Sequence, residues 1–257
     1  MNKLLRVART EVLEHWRQPS MIAVLVVNYL VWIGLFGAAA VGMDRATALP
    51  GGHELLRAQA SAAGLNLDLA LGMLVSTYGA MVFTNLPLYV AIMSCYSVIH
   101  DRKSGTLPFL MLAPLSRRRL LLGKLAGALA IPLGLHVVLV GGSALALGAL
   151  PLLAPYRAML GGSPAWWLAF LVGAPASAAF VGALGTVISA LSGDVRTSMQ
   201  YTSFFIGLLS LGFGYALVDG IRWGALPQLA FAGACAAAAA LTLSLGAQLI
   251  SRDLPPS

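Results

Sequence analysis

The sequence predicts an all-α, polytopic membrane protein. It should have six transmembrane helices, an N-terminal interfacial amphipathic helix and a short cytoplasmic helix between the second and third spans. Three observations carry that prediction. Of the 257 residues, 59% are apolar and only 10% are charged, whereas an ordinary soluble domain carries roughly 25% charged residues. So few charges cannot coat a soluble globule of this size, which argues against a soluble enzyme, a disordered chain and a disulfide-stapled secreted domain. Six stretches are long and apolar enough to cross a bilayer, which takes about 20 residues each. Finally, the cations between those stretches lie overwhelmingly on one side.

The six stretches run at about 21–41, 69–99, 120–150, 165–191, 201–218 and 225–250, within a single membrane domain covering 1–257. One side collects twelve cations: Lys3, Arg6, Arg9, Arg17, Arg102, Lys103, Arg117, Arg118, Arg119, Lys124, Arg196 and Arg252. The other side has four, Arg45, Arg57, Arg157 and Arg222. The positive-inside rule therefore places both termini in the cytoplasm, as an even number of spans requires. The acids Glu11, Glu14, Asp101, Asp194 and Asp253 fall on the cytoplasmic side, and Asp44, Glu54, Asp68 and Asp219 outside. The whole net charge of +7 thus belongs to the cytoplasmic face. It is an orientation signal rather than a nucleic-acid footprint.

Within the N-terminal segment, Leu5, Ala8, Val12 and Trp16 recur at helical spacing beside Leu13, and Lys3, Arg6, Thr10, Glu14 and Arg17 cluster opposite. Pro19 ends the pattern. A basic helix with Trp in its apolar stripe is expected to lie along the cytoplasmic membrane surface. Glu11 and Glu14, and the length of the segment before the first span, favour an uncleaved span over a signal peptide. The first external loop, 42–68, allows one short helix over 53–63, stopped by Gly64. Pro87, Pro132 and Pro175 sit inside spans and predict kinks.

The loop between the second and third spans reads HDRKSGTLPFLMLAPLSRRR over residues 100–119. Gly105 permits a turn, Thr106 can cap a helix, Pro108 fits a first helical turn and Pro114 closes the element. The helix between them would present Leu107, Phe109, Leu110, Met111 and Leu112, apolar nearly all round. Such a helix, flanked by charge in the cytoplasm, needs a surface to bury it. A partner protein suits it, and a re-entrant or interfacial position on lipid is the alternative.

The run SGTLPFLMLAPLSRRRLLLGK, residues 104–124, resembles the signature of type-2 ABC permeases, the ABC-2 family. In that family an acidic residue and three others precede Gly-Thr-Leu; then follow a Leu pair, Pro, often Ser, and a Gly-Lys that opens the next span. Asp101, Gly105, Thr106, Leu107, Leu110, Pro114, Ser116, Gly123 and Lys124 match. The chain departs at Pro108, where the family often has Glu, and carries Asp101 where Glu is frequent. The resemblance extends to the N-terminal helix, the six spans and the loop 192–199, where Gly193-Asp194-Val195-Arg196 looks like a second cytoplasmic contact. It implies a permease subunit, an exporter by analogy, in the cytoplasmic (inner) membrane. Such a subunit pairs with a second permease chain, identical or not, and with separate cytoplasmic ATPase subunits that bind ATP and Mg; this chain would hold no cofactor. The implied ATPase-coupling residues are Asp101, Gly105, Thr106, Leu107, Phe109, Leu110, Leu112, Pro114, Ser116, Asp194 and Arg196. Arg117, Arg118 and Arg119 serve partner contact or anionic lipid equally well. A heme-exporter-like membrane subunit of cytochrome c maturation is a related alternative, and an ATP-independent carrier or channel a more distant one.

The residues exclude several chemistries. The one Gly-Lys pair, Gly123-Lys124, has Arg118 where a phosphate-cradling loop needs its first Gly and Leu125 where it needs Ser or Thr. An intramembrane serine protease built on Ser143 would lack a later His, since His15, His53, His100 and His136 all precede it. His53-Glu54 has no second His at zinc-protease spacing. Cys95 and Cys235 lie in apolar runs and form no metal-ligand pattern. His136 and Asn85 read as interhelical hydrogen-bonding groups, and the Gly123/Gly127 and Ser210/Gly214 steps as packing sites. No Asp, Glu, Lys or Arg stands at the centre of a span, which speaks against proton- or ion-coupled transport.

Overall fold

A computed structural model describes residues 3–106, 116–192, 194–220 and 225–252. All regular structure among them is helical. In chain order, α1 is Lys3–Trp16, α2 Pro19–Thr47, α3 Gly52–Ala62 and α4 Leu67–Lys103. The third long rod is α5 (Arg117–Leu135), a π turn at His136–Val140 and α6 (Gly141–Gly148). A 3₁₀ segment, Pro151–Leu160, leads into the fourth rod, made of α7 (Pro164–Leu168), a π turn at Ala169–Gly173 and α8 (Ala174–Ser192). The chain continues through α9 (Val195–Gly220) and α10 (Ala225–Arg252).

Five rods among the described residues are long and apolar enough to cross a membrane: Pro19–Thr47, Leu67–Lys103, Arg117–Gly148, Pro164–Ser192 and Ala225–Ile250. The helix α9, with 26 residues, covers the stretch where a further span is expected. The short helix expected at 53–63 is α3, and Gly64 closes it with φ +73°.

The helix α4 is the axis of the molecule. It packs along α8 and α9 and against α5, while α10 covers the far side of α8. Glycines set these distances. A Cβ on Gly182 of α8 would lie 2.6 Å from Leu125 Cδ1 and 2.7 Å from Val90 Cγ1. A Cβ on Gly246 of α10 would lie 2.3 Å from Val187 Cγ2. Such contacts let backbones approach closely where lipid offers no hydrophobic drive to association. By contrast α2 lies at the edge. Leu25, Tyr29 and Ala40 are its buried residues, while Val24, Val27, Leu30, Val31 and Leu35 are exposed, as suits a lipid-facing helix.

The two π turns meet. His136 from the first stacks on Phe170 from the second, with ring centroids 4.5 Å apart and planes 19° from parallel. The second turn immediately precedes Pro175, whose ring would clash with the Leu171 carbonyl in a regular α-helix; a widened turn relieves that conflict. In the first turn, the Val140 carbonyl accepts hydrogen bonds from Tyr78 Oη at 3.2 Å and Ser143 Oγ at 2.9 Å. Side chains thus satisfy backbone groups where water is absent. His136 is fully buried, and its Nδ1 lies 3.3 Å from Tyr29 Oη of α2. The interhelical reading of that histidine is therefore realised as a tie between α2 and the third rod.

Candidate functional site

The chemistry concentrates where α1, α4 and α5 converge. The first helix does not simply lie on a surface: its Leu4, Val7, Ala8 and Glu11 side packs on α5. Gly123 and Gly127 make room for it. A Cβ on Gly123 would lie 2.7 Å from Val7 Cγ1, and one on Gly127 would lie 2.3 Å from Glu11 Cβ. The G-x-x-x-G step is thus a packing site, and its occupant is α1. The expected apolar stripe divides between two environments. Leu5 and Trp16 are exposed together with Leu13, whereas Ala8 and Val12 are half-buried.

Between the glycines, Lys124 turns into the protein and is 2% exposed. Its ammonium forms ion pairs with Glu11 of α1 and Asp101 of α4 and donates to Ser97 Oγ at 3.0 Å. Of its three donors, two make hydrogen bonds, to Glu11 and Ser97, and Asp101 lies within ion-pair distance. Ser97 in turn donates to Glu11 Oε2 at 2.5 Å. Glu11 and Asp101 are buried as well. An isolated buried charge costs several kcal/mol, roughly, so full pairing is the condition for keeping this lysine inside. Lys124, placed by sequence among the loop cations, is therefore an internal tie.

The network reaches the loop. Thr106 Oγ1 donates to Asp101 Oδ1 at 3.0 Å and to the Asp101 carbonyl at 3.2 Å. Ser104 Oγ donates to the same carbonyl at 3.2 Å. Gly105 takes φ +72°, the left-handed turn that ends a helix and favours glycine. Thr106, expected to cap the next helix, thus turns its hydroxyl back to close the end of α4. Leu107, Phe109, Leu110, Leu112 and Pro114 lie outside the described residues. On the far side of the loop, Ser116 caps α5, its Oγ accepting from the Arg119 amide at 3.4 Å.

Beside this cluster, Glu14 is half-buried, and its carboxyl is pushed above the ordinary value of 4.5. Burial is the largest cause, followed by the charges of Glu11 and Asp101. His15 Nδ1 lies 2.6 Å from the Glu11 carbonyl.

The second expected contact is separate in sequence. Asp194 Oδ2 accepts from the Thr197 amide and from Thr197 Oγ1, both at 2.9 Å, so it caps the start of α9. Those bonds hold its carboxyl below the usual value of 3.8. Arg196 is exposed on the first turn of that helix. Gly193 lies outside the described residues.

The ABC-2 family transporter protein model matches residues 5–230. The chain belongs to the ABC-2 family. It is a transmembrane transport subunit of the ABC class and a multi-pass membrane protein, and families of this kind work with an ATPase subunit. No curated protein and no solved structure matches the chain. Among the described residues, no group of three or more His, Cys, Asp or Glu could hold a metal ion.

Sequence reasoning matched Asp101 and Lys124 to the family signature but did not join them, and it missed Glu11 and Ser97. A signal for Glu11 was present. Leu4, Val7, Glu11 and His15 recur at helical spacing one residue out of step with the Leu5–Trp16 stripe. Two adjacent stripes, one apolar and one ending in ionisable groups, mark a helix with two neighbours.

Proposed function

We propose that the chain is the permease subunit of an ATP-binding cassette exporter. Six spans, counting α9, form half of a translocation pathway completed by a second permease chain, the same or different. The protein sits in the cytoplasmic membrane with both termini inside. ATP and Mg are bound by a separate cytoplasmic ATPase, and this chain carries no cofactor of its own. The segment 107–115 docks as a short apolar helix in a cleft of that ATPase, with Asp101, Arg102, Lys103, Asp194 and Arg196 at the rim of the contact. The exposed Leu5, Leu13 and Trp16 of α1 rest in the bilayer interface.

The family match over residues 5–230 carries this reading. The geometry at both ends of the loop supports the docking role. The take-off is closed by Thr106 on Asp101 and the return by Ser116 on Arg119. These contacts fix where the segment leaves α4 and where it enters α5, as suits an element that transmits displacement.

The test is affinity purification of the tagged chain from its native membrane. A co-purifying ATPase with vanadate-sensitive hydrolysis is expected. Replacing Leu110 and Leu112 together by Asp should release that ATPase while leaving the permease in the membrane. Unchanged co-purification would overturn the docking role.

A further inference from the structure

The loop 104–116 leaves α4 and returns to α5, so any displacement of it acts first on those two helices. Both are bound to a third element by one buried ion network. Lys124 of α5 pairs with Asp101 at the end of α4 and with Glu11 in the middle of α1. The path from Thr106 through Asp101 and Lys124 to Glu11 is therefore a continuous chain of charge-bearing contacts. Its ionisable members are all buried.

Position explains why such a link has consequences. The helix α1 packs mainly on α5 and continues after Trp16, through two residues, into α2. In turn α2 has few buried residues and is the least buried of the five apolar rods. Its buried contacts are few, Tyr29 on His136 among them, while α1 grips the end where it begins. The grip is geometrically tight, since Gly123 and Gly127 leave no gap between α1 and α5. It is also electrostatically specific, because shifting α1 by one residue would strand a buried lysine without Glu11.

We propose that Lys124, Glu11 and Asp101 form the linkage that makes α1, and with it α2, follow the loop. They are positioning residues for the transport cycle rather than cargo contacts. This rests on the permease reading above and specifies which span receives the stroke.

The experiment uses the full chain purified with its ATPase in lipid nanodiscs. Cys95 and Cys235 are replaced by Ala, and spin labels are placed at Arg9→Cys on α1 and Leu191→Cys at the end of α8, both exposed positions. Double electron–electron resonance then measures the distance between them without nucleotide and after ATP–vanadate trapping. The unmodified network should give a nucleotide-dependent shift in that distance. Lys124→Met should abolish the shift, and so should Glu11→Gln. The second substitution leaves Lys124 paired with Asp101, so it carries the test if Lys124→Met yields no complex. In Glu11→Gln the ATPase should still co-purify and still hydrolyse ATP, a split that a merely structural role would not produce. A shift that survives in Glu11→Gln, or its absence from the unmodified complex while hydrolysis proceeds, would overturn the linkage alone. Absence of any ATPase from the unmodified preparation would instead overturn the permease reading, and the linkage with it.

Discussion

At the scale of single residues, the cluster around Lys124 combines close packing with one buried lysine shared between two carboxylates. Gly127 shows how little slack it has. Even a methyl group there would meet Glu11 Cβ at 2.3 Å and the Ala8 carbonyl oxygen at 3.1 Å. Gly127→Ala should therefore weaken the docking of α1, at a cost of about 1–3 kcal/mol typical of overpacking. Faster amide hydrogen exchange along α1, with α8 unchanged, is the expected result. Glu14 offers a pH-dependent counterpart. A carboxyl raised by its surroundings favours the fold in its protonated form. Stability should then fall as pH rises from the ordinary carboxylate value through the raised one. Glu14→Gln should raise thermal stability in detergent at neutral pH, and that advantage should disappear in acid, below the ordinary value. An equal gain at both pH values would show that charge is not the cause.

At the scale of elements, apolar runs and punctuation made most of the fold legible. Pro19 and Gly64 stand where helices begin or end because each acts on its own neighbours in the chain. The π turns were not legible, since one extra residue in a turn hardly disturbs a hydrophobic pattern read over a 20-residue window. Nor was the burial of α1. Its stronger apolar stripe, Leu5 to Trp16, divides between exposed and half-buried positions, whereas the face packed on α5 carries Glu11, a residue that reads as solvent-facing until its partners are known. The cluster was legible at Gly105, whose turn depends only on its own neighbours in the chain. It was opaque where 113 residues separate Glu11 from Lys124.

At the scale of the whole molecule, the cation asymmetry predicts one orientation in the membrane. A membrane-impermeant maleimide should label Ser61→Cys on α3 in intact cells, and Arg118→Cys on α5 only after permeabilisation; both positions are exposed. The opposite pattern would reverse the topology. The π turns bear on the molecule in another way. An α-helix advances about 100° per residue, and a π turn accommodates one residue more than a regular turn would. The later part of the third rod, Gly141–Gly148, is therefore set out of phase with its earlier part, Arg117–Leu135. The earlier part can present Lys124 to α1 and α4 while the later part independently presents Ala144 and Leu147 to the core. One helix thus serves two neighbourhoods whose facing requirements a single unbroken spiral would force to agree.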